Sequence, residues 1–239
     1  MIIMTYDKRA HDRGFDELRQ ITAKVGVIAR ADGSAYFKIG GTAAYAAVYG
    51  PRNLFPRFLQ NPETGILRCH YNMMPFSGKG ERVRPGGSRR SKEISLVTEK
   101  AITPVLNLEE YPNSVVDVFI ELPETAAGSR CAGICAASMA LADAGLGMKD
   151  LVAAVSVGKV GDKVVVDLNT EEEAYEDGSV DIPIAMLPSS GKITLLQMDG
   201  ELKKEELMQA IEKGKKALQK ICEIQKNALK EKYKVEQNE

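Results

Sequence analysis

Two arginines stand where a helix tolerates them least. Arg89 and Arg90 follow Ser88 at the head of a stretch with helical apolar spacing. The first turn of a helix carries partial positive charge, which disfavours a cation by about 0.3–1 kcal/mol. A single arginine there is a side chain in water; two, following Lys79, Arg82 and Arg84 with only Glu81 opposing, point to an anion site. Ala127-Gly-Ser-Arg130 repeats the arrangement at a second helix start. Gly128 allows close backbone approach, Ser129 caps and donates, and the free N–H groups of a helix start cradle an oxyanion that Arg130 would clamp. In isolation Gly-Ser-Arg is a weak signal, because a serine before a helix usually only caps it. The third feature is acidic: Glu171, Glu172, Glu173, Glu176, Asp177 and Asp181 fall within eleven residues. Most are expected in solvent. Asp181 precedes the apolar run Ile182-Pro-Ile-Ala-Met186 and is expected to be held. A carboxylate beside arginines binds Mg²⁺ through water or passes a proton to a leaving oxygen, two roles that phosphoryl chemistry needs.

Positioning these groups takes an ordered scaffold. Runs 22–27 and 34–39 read as a hairpin about Arg30-Ala-Asp-Gly-Ser34, with Asp32-Gly33 as the tight-turn signal. Runs 45–49 and 66–73 are strand-like, and the Gly- and Pro-rich segment 75–88 reads as an exposed loop. A helix is predicted over 89–106, with Ser88 as its cap and Ile94, Val97, Ala101 and Val105 on one face. Alternation over 116–122 predicts a strand stopped by Pro123, and 130–144 reads as a small-residue helix central to the fold. Runs 151–157, 163–168 and 193–198 are strand-like, and a long helix covers 203–233, with Leu207, Ile211, Leu218, Ile221, Ala228 and Leu229 at helical spacing. The order predicts one α+β (or two-layer α/β) domain over 1–239, with mixed sheets, central helices and a long C-terminal helix.

Composition narrows the choice. At 239 residues with 44% hydrophobic and 27% charged residues, the chain is of ordinary globular type and needs no disulfide framework. Lys plus Arg (32) nearly cancels Asp plus Glu (33), so any nucleic-acid contact must be local. Cys69, Cys131, Cys135 and Cys222 lack zinc spacing, which suits free thiols, a reducing compartment and a cytoplasmic location; no run is long and apolar enough for a membrane span. Cys131 and Cys135 share a helical face and read as core. Phosphate-loop, dinucleotide and nucleophile-elbow motifs are missing, and His11 and His70 are too few for a triad or a multi-histidine metal site.

Taken together, Phe15-Asp-Glu-Leu-Arg19, Arg30-Ala-Asp-Gly-Ser34, Ala46-Ala-Val-Tyr-Gly-Pro51, Ser88-Arg-Arg90, Ala127-Gly-Ser-Arg130, Ala140-Leu-Ala-Asp-Ala-Gly145, Asp167-Leu-Asn169 and Asp181-Ile-Pro-Ile-Ala-Met186 form a specific set. On these motifs the sequence resembles the RNase PH family of phosphorolytic ribonucleases, and within it the catalytic ring subunits of the archaeal exosome. The resemblance implies degradation of RNA from its 3′ end by inorganic phosphate, releasing nucleoside diphosphates, and the reverse nucleotide addition. It assigns phosphate binding to Gly128, Ser129 and Arg130, contact with the RNA backbone near the scissile bond to Arg89 and Arg90, and a grip on RNA further up the pore to Arg57. Asp181 fits the second of two family aspartates. Counting from Asp167 places the first on Glu173, with two extra residues before Asp181; Asp177 is the competing choice.

The resemblance further implies Mg²⁺ at Asp181, inorganic phosphate as co-substrate, a single-stranded RNA 3′ end as substrate, a noncatalytic sister subunit in a hexameric ring, and RNA-binding cap subunits. Two other members of the same fold remain open: a self-assembling enzyme that trims tRNA ends, and a noncatalytic RNA-binding ring subunit. The presence of Arg89, Arg90, Arg130 and Asp181 favours catalysis.

Overall fold

The computed structural model describes residues 6, 8–9, 12–79, 83–175 and 178–234. His11, Glu81, Arg82, Glu176 and Asp177, all weighed above, lie outside the described residues. The first sheet contains β1 (Ile21–Val25), β2 (Gly33–Ile39), β3 (Thr42–Asn53), β4 (Ile66–Met73) and β5 (Ser114–Glu124), in the order β1-β2-β3-β5-β4. All its pairings are antiparallel except β4 with β5. The second contains β6 (Ala153–Val160), β7 (Lys163–Val166), β8 (Ser179–Leu187) and β9 (Lys192–Leu196), ordered β7-β6-β8-β9. It is antiparallel throughout, so the mixed character expected of the sheets belongs to the first alone.

Helices α1 (Arg89–Ile102), α2 (Ser129–Asp143), α3 (Thr170–Glu173) and α4 (Lys204–Lys232) complete the chain. The small-residue helix is central, as its composition predicts: α2 touches β2, β3 and β5 of one sheet and β6 and β8 of the other. Every residue of α2 except Arg130 and Ala142 is buried. Alanine, cysteine and glycine let two sheets close on one helix, while Ile134, Met139 and Leu141 fill what space remains. Along its length α4 covers β6, β7, β8 and β1. Its buried Gln225 donates from Nε2 to the carbonyls of Cys135 and Val152, each at 3.2 Å, which ties α4 to α2 and to the residue preceding β6.

Four local expectations are corrected. Gly33 is not a turn residue; it opens β2, and a Cβ there would lie 2.3 Å from the Ala144 nitrogen and 2.4 Å from the Ala140 carbonyl oxygen. The glycine is there because β2 crosses the end of α2 at backbone contact. Helix α1 stops at Ile102, and Pro104 continues the chain as a short 3-10 turn, Thr103–Val105. Strand β5 runs through Pro123 to Glu124, because the register against β3 shifts between Ala43 and Tyr45, where a residue without an N–H is tolerated. Strand β8, absent from the strand-like runs, lies between β6 and β9. Its Pro183 carbonyl accepts from the Gln197 N–H at 3.2 Å just past β9, so the proline faces the end of that ladder rather than its interior.

Candidate active site

Each expected functional group reaches its place by a separate device. At α1, Ser88 accepts from the Ser91 N–H at 3.0 Å and the Ser91 hydroxyl accepts from the Ser88 N–H at 2.8 Å, a reciprocal cap that fixes where Arg89 and Arg90 begin. At α2 the cap is Gly128, left-handed at φ 64°, with no side-chain cap bond. The expectation that Ser129 caps this helix is therefore corrected. Ser129 is the first helical residue and is buried, and among the described residues no side chain caps the first turn.

Glu173 ends α3, a single turn capped by Asn169, whose side chain accepts from the Glu172 N–H at 2.8 Å. The turn hangs from an ion network that the sequence reading did not find. Asp167, at φ 58° and buried, accepts from the Arg19 N–H, Nε and Nη2 at 2.7, 2.9 and 2.7 Å, and Arg13 Nη1 lies 3.1 Å away. Glu172, expected in solvent with most of its neighbours, is buried and paired with Arg9 through Nε at 2.7 Å and Nη2 at 2.8 Å. These contacts turn Glu172 inward. Its neighbour Glu173 is thereby left facing a cleft.

That cleft, of about 590 Å³, is lined by Arg90, Gly128, Ser129, Arg130, Glu173 and Asp181. Lys79 and Asp199 also line it; Asp199 carried no sequence signal. Arg89 is exposed and does not line it. Arg57 lies in the separate turn Arg57–Leu59, between the exposed Phe55 and Phe58, and is not brought to the cleft.

The cleft's electrostatics run against what helices prefer. Helix α3 carries Glu171, Glu172 and Glu173 in its first turn and α4 carries Glu205 and Glu206, whereas α1 and α2 carry no acid there. Arg9, Arg13, Arg19 and Arg68 all pair with carboxylates. Arg130 is half-buried, yet its hydrogen-bond partner among the described residues is the neutral Oε1 of Gln197. Neither Arg90 nor Arg130 makes an ion pair among the described residues. Among the described residues, then, these charges stand free of ion pairs beside open N–H groups, an environment that suits an oxyanion.

Opposite this positive wall, the carboxylates are strained toward protonation. Burial and then the neighbouring Asp181 push the Glu173 carboxyl up to about 7, against the opposing pull of the Gly128 N–H, Arg19 and Arg90. Burial also raises Asp181, while the Ser156 hydroxyl that donates to its Oδ1 and the charges of Arg130 and Arg90 favour its ionised form. Asp181 thus raises Glu173 and is itself raised by Asp199, and a carboxyl brought to about 7 suits proton transfer near neutral pH. No group of three or more His, Cys, Asp or Glu side chains among the described residues is arranged to hold a metal alone. Glu173 and Asp181 nevertheless fit the way Mg²⁺ is commonly held, by one or two carboxylates with water and substrate phosphate completing the shell.

Arginines and open N–H groups facing two carboxyls, at the start of a buried small-residue helix packed between two sheets, form an arrangement suited to phosphoryl transfer. The chain belongs to the 3′ exoribonuclease family of RNase PH: the model of the family's domain 1 matches residues 17–147 and that of domain 2 matches 150–217. It is 50% identical over 225 residues to the exosome complex component Rrp41 of Methanopyrus kandleri, covering 94% of this chain and 93% of that protein. The Rrp41 of Pyrococcus furiosus is 51% identical over 226 residues, 95% of this chain and 89% of that one. That of Nitrosopumilus maritimus is 45% identical over 234 residues, 98% and 95% respectively. In fold, the chain matches the crystal structure of rice Rrp46 with a TM-score of 0.81 and 24% identity, over 92% of this chain and all (100%) of that one. No described helix is long and apolar enough to cross a membrane.

Proposed function

We propose that this chain is a catalytic ring subunit of an exosome that shortens RNA from its 3′ end with inorganic phosphate, releasing nucleoside diphosphates. The observation that carries the reading is Arg130, half-buried and without an ion-pair partner among the described residues, beside uncapped N–H groups and across one cleft from Glu173 and Asp181. Its relatives' names, exosome complex component Rrp41, support the assembly.

In this reading the first N–H groups of α2, the Ser129 hydroxyl and Arg130 hold phosphate. Arg90 binds the scissile phosphodiester, and Arg89 contacts the RNA backbone just outside the cleft. An oxygen of the held phosphate bonds to the phosphorus of the terminal nucleotide as the bond from that phosphorus to the preceding 3′ oxygen breaks, and the departing oxygen takes a proton from Asp181 or Glu173. The products are a nucleoside diphosphate and an RNA one residue shorter with a free 3′ hydroxyl. Mg²⁺, if held by an ionised Asp181, would offset charge on the transferring phosphoryl oxygens, with Glu173 then left as the proton donor. Arg57, on its own turn, grips RNA further from the reacting end. Phosphate and sugar contacts of this kind carry little base information, so broad sequence tolerance is expected.

The partners in this reading are a noncatalytic RNase PH-like sister subunit, alternating with this chain in a hexameric ring, and cap subunits that feed RNA to it; the location is the cytoplasm. The test is incubation of the chain, with and without its sister subunit, with a 3′-extended RNA in the presence and absence of phosphate. Diphosphates formed only with phosphate support the reading. Monophosphates formed regardless of phosphate would mean hydrolysis and overturn it.

A further inference from the structure

Tyr71 stands on β4 with 4% of its surface exposed, and its hydroxyl makes no hydrogen bond among the described residues. A buried phenol normally finds one, because leaving a donor unsatisfied costs about 1–3 kcal/mol. Its ring lies against Gly133 in the first turns of α2: a Cβ on that glycine would be 3.4 Å from Cε2 and 3.5 Å from Cδ2 of the ring. Its backbone is pinned by the Tyr71 N–H donating to the Ser95 hydroxyl of α1 at 2.9 Å. Tyr71 is therefore tied to both helices whose starts face the cleft, by its ring to α2 and by its backbone to α1. Tyr71 also lines a smaller cavity of about 310 Å³ that shares Met73 and Arg90 with the main cleft. Burial raises the phenol and keeps it neutral, against the Ser129 hydroxyl, which lies near enough to become its hydrogen-bond partner, and the charges of Arg90 and Arg130.

We infer that Tyr71 is a positioning residue for phosphate, whose orphan hydroxyl donates to the Ser129 oxygen once an anion binds, turning the Ser129 proton toward that anion. The inference rests on the phosphorolytic reading above. It explains why a buried hydroxyl without a partner among the described residues sits behind the cradle: an anion that takes the Ser129 proton fixes the serine rotamer and aims its oxygen at the phenol. Before binding, the Ser129 hydroxyl can turn elsewhere and the phenol goes unmatched.

The test is Tyr71→Phe, which preserves the ring, alongside Ser129→Ala and the double variant in the assembled enzyme. The KM for inorganic phosphate is measured together with phosphate-induced thermal stabilisation in the absence of RNA. Tyr71→Phe is expected to raise the phosphate KM roughly 10-fold, as for loss of a hydrogen bond in a chain to a charged group, with kcat at saturating phosphate within about twofold of wild type. The ligand-free Tm should be unchanged or higher, since the change removes an unsatisfied buried group. In the Ser129→Ala background Tyr71→Phe should have no further effect. An unaltered phosphate KM in Tyr71→Phe, a Tm fall of several degrees accompanying any KM change, or full additivity with Ser129→Ala would each overturn the inference. If wild type itself is not stabilised by phosphate, both this inference and the phosphorolytic reading fall. If wild type and Tyr71→Phe are stabilised equally, only this inference does.

Discussion

Glu173 and Asp181 compete for charge across one cleft, and the competition has a sign that can be measured. Because the folded state raises Glu173 from 4.5 to about 7, it binds the proton more tightly than the unfolded chain. This contribution to stability is complete below about 4.5 and is lost as pH rises through 7. Glu173→Gln should therefore have a Tm above wild type at pH 8, with the difference shrinking toward pH 4.5; a pH-independent difference would contradict the raised carboxyl. Asp181→Asn should lower phosphorolysis by about 10²–10⁴-fold, the range for removing a general acid, while RNA binding in a filter or polarisation assay stays near wild type. Arg130→Ala should raise the phosphate concentration needed for half-maximal rate by roughly tenfold or more, the scale of a lost charge-assisted bond, and unchanged phosphate dependence would move the cradle elsewhere.

At the scale of elements, the crossing of β2 over the end of α2 is the least forgiving contact. Gly33→Ala places a methyl 2.3 Å from backbone nitrogen and should cost about 1–3 kcal/mol by denaturant titration. A stability equal to wild type would mean the crossing is looser than described. What the sequence made legible here, and what it did not, divides along physical lines. The starts of α1 and α2 could be read because arginines at a positive helix end violate a local rule, and such a violation is visible in the chain itself. The role of Gly33 could not, since the atoms it avoids are more than a hundred residues away and a loop glycine looks the same for either cause. Strand β8 was hidden by Pro183, whose tolerance depends on where β9 ends. Glu172 and Glu173 are indistinguishable in a run of acids; which one turns inward is decided by Arg9.

For the molecule as a whole, that arginine network links the N-terminal segment to the site. Arg9 and Glu172 are both nearly devoid of solvent contact, with side-chain exposures of 0% and 2%, so breaking the pair leaves a buried charge and should cost about 3–5 kcal/mol. The Glu172 carboxyl is held down at about 2 by Arg9, the Asn169 N–H and Tyr6 in spite of its burial. Its contribution is present above about 4.5 and is lost as pH falls toward 2. Arg9→Met should accordingly destabilise the chain most near neutral pH and progressively less in acid, as followed by thermal unfolding; a loss of equal size at every pH would contradict the pairing. The same network carries α3 and hence Glu173, so the variant should also lose activity.

The phosphorolytic reading depends on the start of α2 being an anion site. The most direct measurement is a crystal of the protein, with its sister subunit, equilibrated with inorganic phosphate. The account predicts a tetrahedral ion against the first N–H groups of α2 and the Arg130 guanidinium, facing Asp181 and Glu173. A cleft left empty at saturating phosphate, with Arg130 still bound to Gln197 alone, would contradict it.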